Sequence, residues 1–203
     1  MEARLKPATK TASSDASAEN VRKAFQECSA NYDRLADQAE LVVDIANEII
    51  ARLRRGGTVI FCGNGGSAAD SQHLAAELQG RFMKERAPLA ALALTANTSA
   101  LTALSNDYGF DEVFERQVRG LAKRGDVLIG ISTSGTSRNV IRALEAAKAM
   151  GVYTIGLTGL SGGLMANCCD AVVRVPSDHT ARIQEMHIGV GHVICQIIED
   201  ALF

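Results

Sequence analysis

Five short runs of apolar and β-branched residues constrain this chain most: Thr58 to Cys62, Leu89 to Leu94, Val127 to Ser132, Tyr153 to Thr158 and Ala171 to Val175. Helix-like stretches separate them, and strands that alternate with helices pair in parallel. Continuously apolar strands of this kind are covered on both faces, which predicts an α/β fold, a three-layer αβα sandwich around a five-stranded parallel sheet. Ligands of such sheets sit beyond the carboxyl ends of the strands. The segments that follow each run are therefore the places to look for chemistry.

The rest of the chain fits around that core. Its 203 residues and 21.5 kDa suit one domain. Residues 1–17, rich in Ser, Ala, Lys and Thr, read as a flexible tail before a single domain over 18–203. Up to Arg55 there is no Gly or Pro beyond the tail, and Leu41, Ile45, Ile49, Ile50 and Leu53 recur at helical spacing. This predicts two N-terminal helices broken near Asn31. Arg52, Arg54 and Arg55 precede Gly56 and Gly57, where cations complement the end of a helix. A last helix is expected from about Ala181 to Leu202; it is apolar on most of its surface, so it asks for cover on more than one side and predicts self-association.

Several functions are excluded on composition. A net charge of −2 gives no electrostatic footprint for nucleic acid. No apolar run approaches the ~20 residues needed to span a bilayer. The N-terminus has no apolar core of a secretory signal, which points to the cytoplasm. Five cysteines with no C-x-x-C spacing read as reduced thiols, with Cys62 and Cys195 as small buried hydrophobes rather than nucleophiles.

The first strand runs into Gly63-Asn64-Gly65-Gly66-Ser67 and the third into Ser132-Thr133-Ser134-Gly135-Thr136-Ser137. The second of these puts five hydroxyls where a helix begins near Arg138. Backbone N–H groups and the positive end of the helix favour a dianion there, and the hydroxyls add donors, so the segment reads as a phosphate cradle without a lysine. The glycine loop has two readings, a tight turn or a bare backbone that approaches a ligand. It matches neither a Walker loop nor a dinucleotide fingerprint.

Two helices carry the remaining candidates. His73 and Glu77, at i and i+4, project from one helix face, either as an ion pair in solvent or as a functional pair. The last helix holds Gln184, Glu185, His187 and His192 within an apolar sequence. A phosphate cradle, a carboxylate and imidazoles, without a nucleotide fingerprint or redox cysteine pair, suit proton transfer on a phosphorylated sugar.

The segments FCGNGGSAADSQHLAAELQGRF, SNDYGFDEVFERQV, GDVLIGISTSGTSRNVI and ARIQEMHIGVGH, in that order, resemble the phosphoheptose isomerases of the sugar isomerase (SIS) domain superfamily. The likeness extends from about Val21 to the C-terminus and implies a flavodoxin-like SIS fold. It further implies conversion of sedoheptulose 7-phosphate to D-glycero-D-manno-heptose 7-phosphate through an enediol, with Glu77 and His192 as the catalytic pair. Substrate contacts are implied for Asn64, Gly65, Gly66, Glu77, Asn106, Asp107, Ser132, Thr133, Ser134, Ser137 and Gln184. The resemblance also implies one zinc ion per subunit on His73, Glu77, Gln184 and His192, a homotetramer with active sites at subunit interfaces, and a product used in heptose synthesis for lipopolysaccharide core or related glycans.

Eight residues of straight helix would separate Gln184 from His192 by about 12 Å, a long span for ligands of one ion at ~2.0 to 2.2 Å. Either both side chains stretch, or the helix begins after Gln184, or the ligands come from different subunits; His187 competes with His192 for the role. A noncatalytic relative of these isomerases instead associates with the bacterial replication initiator, and it lacks the acidic residue of the His-x-x-x-Glu pattern. Glu77 favours the enzyme.

Overall fold

The computed structural model describes residues 12–203, with side chains from Ala16 onward. Residues 1–11 of the expected tail lie outside the described residues, and α1 begins at Ala12. The order is α1 (Ala12–Leu35), a 3-10 turn (Ala36–Gln38), α2 (Ala39–Leu53), β1 (Val59–Gly63), α3 (Gly66–Gln79), β2 (Ala91–Ala93) and α4 (Thr98–Tyr108). There follow a second 3-10 turn (Phe110–Glu112), α5 (Val113–Leu121), β3 (Val127–Ser132), α6 (Arg138–Ala149), β4 (Tyr153–Thr158), α7 (Met165–Cys168), β5 (Ala171–Arg174) and α8 (Thr180–Leu202).

All strand pairs are parallel and the order is β2-β1-β3-β4-β5. Alternate side chains of each strand go to opposite layers, as the two-residue period of a strand requires. Val59, Phe61, Val127, Ile129 and Ile131 pack with α2, α3 and α8, whereas Ile60, Cys62 and Leu128 pack with α5 and α6. Both faces are thus buried, and strands expected to be continuously apolar are so for that reason. The chain reverses its strand order between β1 and β3, which brings the glycine loop and the hydroxyl loop side by side at the topological switch point.

The helical break falls at residues 36–38 rather than near Asn31. Asn31 stays within α1 because its buried amide oxygen accepts from the Arg34 guanidinium, so it does not compete for the backbone. The chain turns where Gln38 meets the edge strand β5: its Nε2 donates to Arg174 O (2.6 Å) and Arg174 N donates to its Oε1 (3.2 Å). Among the described residues no helix is long and apolar enough to cross a membrane.

Candidate active site

Two parallel-running helices build the acid–base part of the site. α3 leaves the end of β1 and α8 packs along it. Gly191 makes the approach close, since a Cβ there would collide with Leu74 of α3. The next residue, His192, is thereby set against His73. Their Nε2 atoms lie 3.2 Å apart and their rings 5.0 Å, while Glu77 Oε1 lies 3.0 Å from His73 Nε2. The Phe82 ring packs against His192, 5.7 Å between centroids.

Donor atoms of His73, Glu77 and His192 all fall within 4.8 Å of one another. The separations of 3.0 and 3.2 Å approach the ~3.4 Å edge of a tetrahedron whose centre is 2.0–2.1 Å from each corner, the geometry of zinc with His and carboxylate ligands. Three such donors fit a metal ion. The fourth expected ligand is elsewhere in this protomer. Helix α8 starts at Thr180, before Gln184, and the Gln184 amide lies so close over Gly66 that any side chain at Gly66 would collide with it. Gly66 is therefore a position of close approach to Gln184, and Gly65 turns the chain with φ +56°, so the loop carries features of both readings.

Beside that loop, Ser132, Ser134, Thr136 and Ser137 interlock. Ser132 Oγ is 2.9 Å from Ser137 Oγ and 3.5 Å from Ser134 Oγ, and Ser134 Oγ accepts from Thr136 N (3.2 Å) and Thr136 Oγ1 (2.9 Å). Ser137 is the N-cap of α6 but its side chain does not cap the helix; Val140 N donates to Asn139 Oδ1 (2.9 Å), which leaves the N–H groups of Arg138 and Asn139 for an anion. Thr133 stands half-buried in the same loop. Asn64 is fixed by a reciprocal amide pair with Asn139, both bonds 2.9 Å, which ties the glycine loop to the start of α6. Asn106 and Asp107 are exposed at the end of α4, bonded to one another (3.0 Å). Among the described residues no hydrogen bond ties them to the cluster.

Sequence reasoning missed Asn139, Asp70 and Phe82. Asp70 had a signal, because i, i+3 and i+7 put it on the face of His73 and Glu77. Its Oδ2 is buried without a partner, and burial pushes its carboxyl up against the lowering effect of His73. His187, the expected competitor, is fully buried; burial drives it down to about 4 against the raising effect of the Thr158 backbone, so it is a neutral core group apart from the cluster. Burial also lifts the Cys62 and Cys195 thiols to about 12, which makes both poor nucleophiles.

The sequence matches the SIS domain family over residues 25–159. It is 57% identical to the phosphoheptose isomerase of Rhodospirillum rubrum over 91% of this chain and 98% of that one. The solved structure of a phosphoheptose isomerase from Neisseria gonorrhoeae superposes with a TM-score of 0.85 at 46% identity, covering 90% of this chain and 98% of that one. One from Francisella tularensis gives 0.87 at 37%, covering 91% and 98%. The fold is that of a SIS domain. Within that superfamily the chain belongs to the phosphoheptose isomerases, sugar-phosphate enzymes that interconvert an aldose and a ketose. The noncatalytic alternative, a module for the replication initiator, gains no support from these relatives.

Proposed function

We propose that the chain isomerises sedoheptulose 7-phosphate to D-glycero-D-manno-heptose 7-phosphate, the first step of heptose precursor synthesis for lipopolysaccharide core or related glycans, in the cytoplasm. The observation that carries this reading is the convergence of His73, Glu77 and His192, with donor atoms within 4.8 Å of one another, in a chain that also carries a hydroxyl cradle after β3. The cradle and the N-terminus of α6 hold the 7-phosphate, and Asn64, Gly65 and Gly66 with Gln184 line the path of the sugar. Glu77 takes a proton from C1 of the ketose and returns it to C2. One of its carboxylate oxygens faces His73, which leaves the other for the substrate. His192 passes protons at O1 and O2 and assists ring opening.

His73, Glu77 and His192 would hold zinc, one per subunit, with Gln184 as a further donor from a neighbouring subunit; such an ion supplies Lewis-acid stabilisation of the enediolate. We infer a homotetramer with active sites between subunits. The cluster is open in one protomer, with His73 exposed and Glu77 and His192 half-covered. An apolar groove of about 310 Å³ between Tyr32, Leu35, Val43, Val190, Val193 and Ile197 also asks for a second copy.

The test is incubation with sedoheptulose 7-phosphate, with and without chelator, followed by NMR. Appearance of the aldoheptose, slowed by chelation and restored by zinc, supports the reading. No interconversion at stoichiometric enzyme defeats it.

A further inference from the structure

A buried ion pair lies beyond the acid–base cluster. Glu199 lies on α8, two turns past His192, and its side chain is 3% exposed; the Arg86 side chain is 1% exposed. Carboxylates and guanidinium groups are rarely buried so fully unless every polar atom is used. Here they are. Glu199 Oε1 accepts from Arg86 Nε (2.8 Å) and Phe82 N (3.1 Å), and Oε2 accepts from Met83 N and Lys84 N (both 2.8 Å). Arg86 turns its other nitrogens to the end of α3: Nη2 donates to Glu77 O (2.8 Å), and Nη1 to Leu78 O (3.0 Å), Gly80 O (3.1 Å) and Ala87 O (3.1 Å).

The last carbonyls of a helix have no partner within it. At α3 the closing Gly80 does not adopt the left-handed conformation that usually satisfies them, with φ −88° and ψ −122°. Arg86 does that work for Glu77 O and shares Leu78 O with Leu89 N (3.0 Å). One of the carbonyls it holds belongs to Glu77, the residue whose carboxylate must sit at the reacting carbons. The other half of the pair fixes the main chain of Phe82, whose ring backs His192. A single buried carboxylate therefore reaches both members of the acid–base pair, one through Arg86 and one through Phe82.

We propose that Glu199 and Arg86 are positioning residues for the isomerisation, holding Glu77 and His192 at a fixed separation. The inference rests on the roles given to those two groups above. Neither Glu199 nor Arg86 touches the substrate. Both act on where the base and its partner stand, and a misplacement of about 1 Å in such a group can cost ~10²-fold in rate.

Glu199→Gln keeps the shape and removes the charge, and Arg86→Lys keeps the charge and removes the fork. Each is compared with Asp126→Asn, an equally buried carboxylate just before β3 that accepts from Thr58 N (2.8 Å) and Lys123 N (2.9 Å) and bonds no part of the acid–base cluster. All three variants are expected to melt earlier. Only the first two are expected to lose roughly tenfold to ~10²-fold in kcat, at temperatures where they are folded, with KM changed less than about threefold. A wild-type kcat for folded Glu199→Gln and Arg86→Lys, or an equal loss in Asp126→Asn, overturns the proposal.

Crystal structures of the variants provide a readout that needs no substrate. Glu77 Oε1 displaced from His73 Nε2, or Phe82 lifted from His192, is expected; unchanged geometry overturns the positioning role. Glu77→Gln, run alongside, separates the two claims. An active Glu77→Gln removes the base assignment, whereas an inactive Glu77→Gln beside a fully active Glu199→Gln removes only the positioning role.

Discussion

The two helical layers that cover the same sheet are finished differently. On the side of α5 and α6 the outer surface is closed by ion pairs: Glu115 meets Arg119 (2.8 Å) and Arg142 (2.7 Å), Arg142 reaches Glu112 (3.4 Å), and Arg138 reaches Asp111 (3.3 Å). Large apolar groups stand in solvent on both sides, Leu121 at 57% and Leu164 at 59% as well as Val43 and Val193 at 44% and 48%. The grooves differ, for Val43 and Val193 line an apolar one on the side of α2 and α8, whereas the groove over α5 and α6 is lined by Glu115, Arg119, Arg138, Arg142 and Glu145. The layer of α2, α3 and α8 also holds an open cluster of two imidazoles and a carboxylate. A groove lined by paired charges is finished for water, and a layer with an apolar groove and an open polar cluster is finished for a partner and a substrate.

Removing one carboxylate from each layer should give the largest divergence between them. Glu77→Gln is expected to lower kcat by ~10²- to 10⁴-fold with the fold intact by circular dichroism. Glu115→Gln, on the charged layer, is expected to leave kcat within about twofold, because its partners Arg119 and Arg142 are surface groups remote from proton transfer. Similar losses in the two variants would mean that the layers do not divide the work.

The next largest effect concerns assembly. Val193→Asp places a charge in the apolar groove, and sedimentation is expected to show dissociation toward smaller species together with loss of activity, since the site is inferred to be completed between subunits. Arg119→Ala on the other layer is expected to leave the sedimentation profile unchanged. Between these extremes stands the cradle, which belongs to the sheet rather than to either layer. Ser137→Ala removes one donor to a dianion and should raise KM by roughly tenfold, with kcat little changed.

Much of this was legible in the sequence, and the parts that were not have a common cause. Strand positions followed from apolar runs, because a parallel sheet buried on both faces draws mostly apolar residues into its strands. The cradle followed from hydroxyls at a strand end. His73 and Glu77 were placed on one face by helical spacing alone, but their meeting with His192 depends on Gly191 letting α8 touch α3, a contact between elements more than a hundred residues apart in the chain. Arg86 and Glu199 were invisible for the same reason: a buried ion pair reads as two ordinary surface charges until the fold joins them. Helix breaks are equally non-local, as the turn at 36–38 is set by Gln38 on β5 rather than by any residue that disfavours helix.

Acidification should separate the layers less strongly than mutation. Burial holds His187 down to about 4 from its ordinary 6.5. As pH falls from 6.5 to 4, the unfolded chain takes up a proton that the folded imidazole refuses, so stability falls across that window. Glu199 extends the loss downward. Burial would raise its carboxyl, but N–H groups of Met83, Lys84 and Phe82 with Arg86 hold it at about 2, so stability present above its ordinary 4.5 is lost as pH drops toward 2. Both groups lie on α8. Melting temperature against pH for His187→Asn should show a flatter limb between 6.5 and 4 than the parent; identical limbs would remove His187 from the account.

The smallest difference is the most specific to the comparison, because it sets one Arg–Glu pair in each layer against the other. Arg119 is 58% exposed and Glu115 14%, so Arg119→Ala should cost only ~0.2 to 1 kcal/mol, and less again in high salt. Glu199→Gln breaks a pair in which both side chains are nearly inaccessible, and leaving Arg86 uncompensated should cost about 3 to 5 kcal/mol with little salt dependence. The distances are the same, 2.8 Å in each pair. If denaturant unfolding gave equal losses for the two variants, distance rather than burial would govern these pairs, and the distinction drawn between a surface finished for water and one finished for function would lose its physical basis.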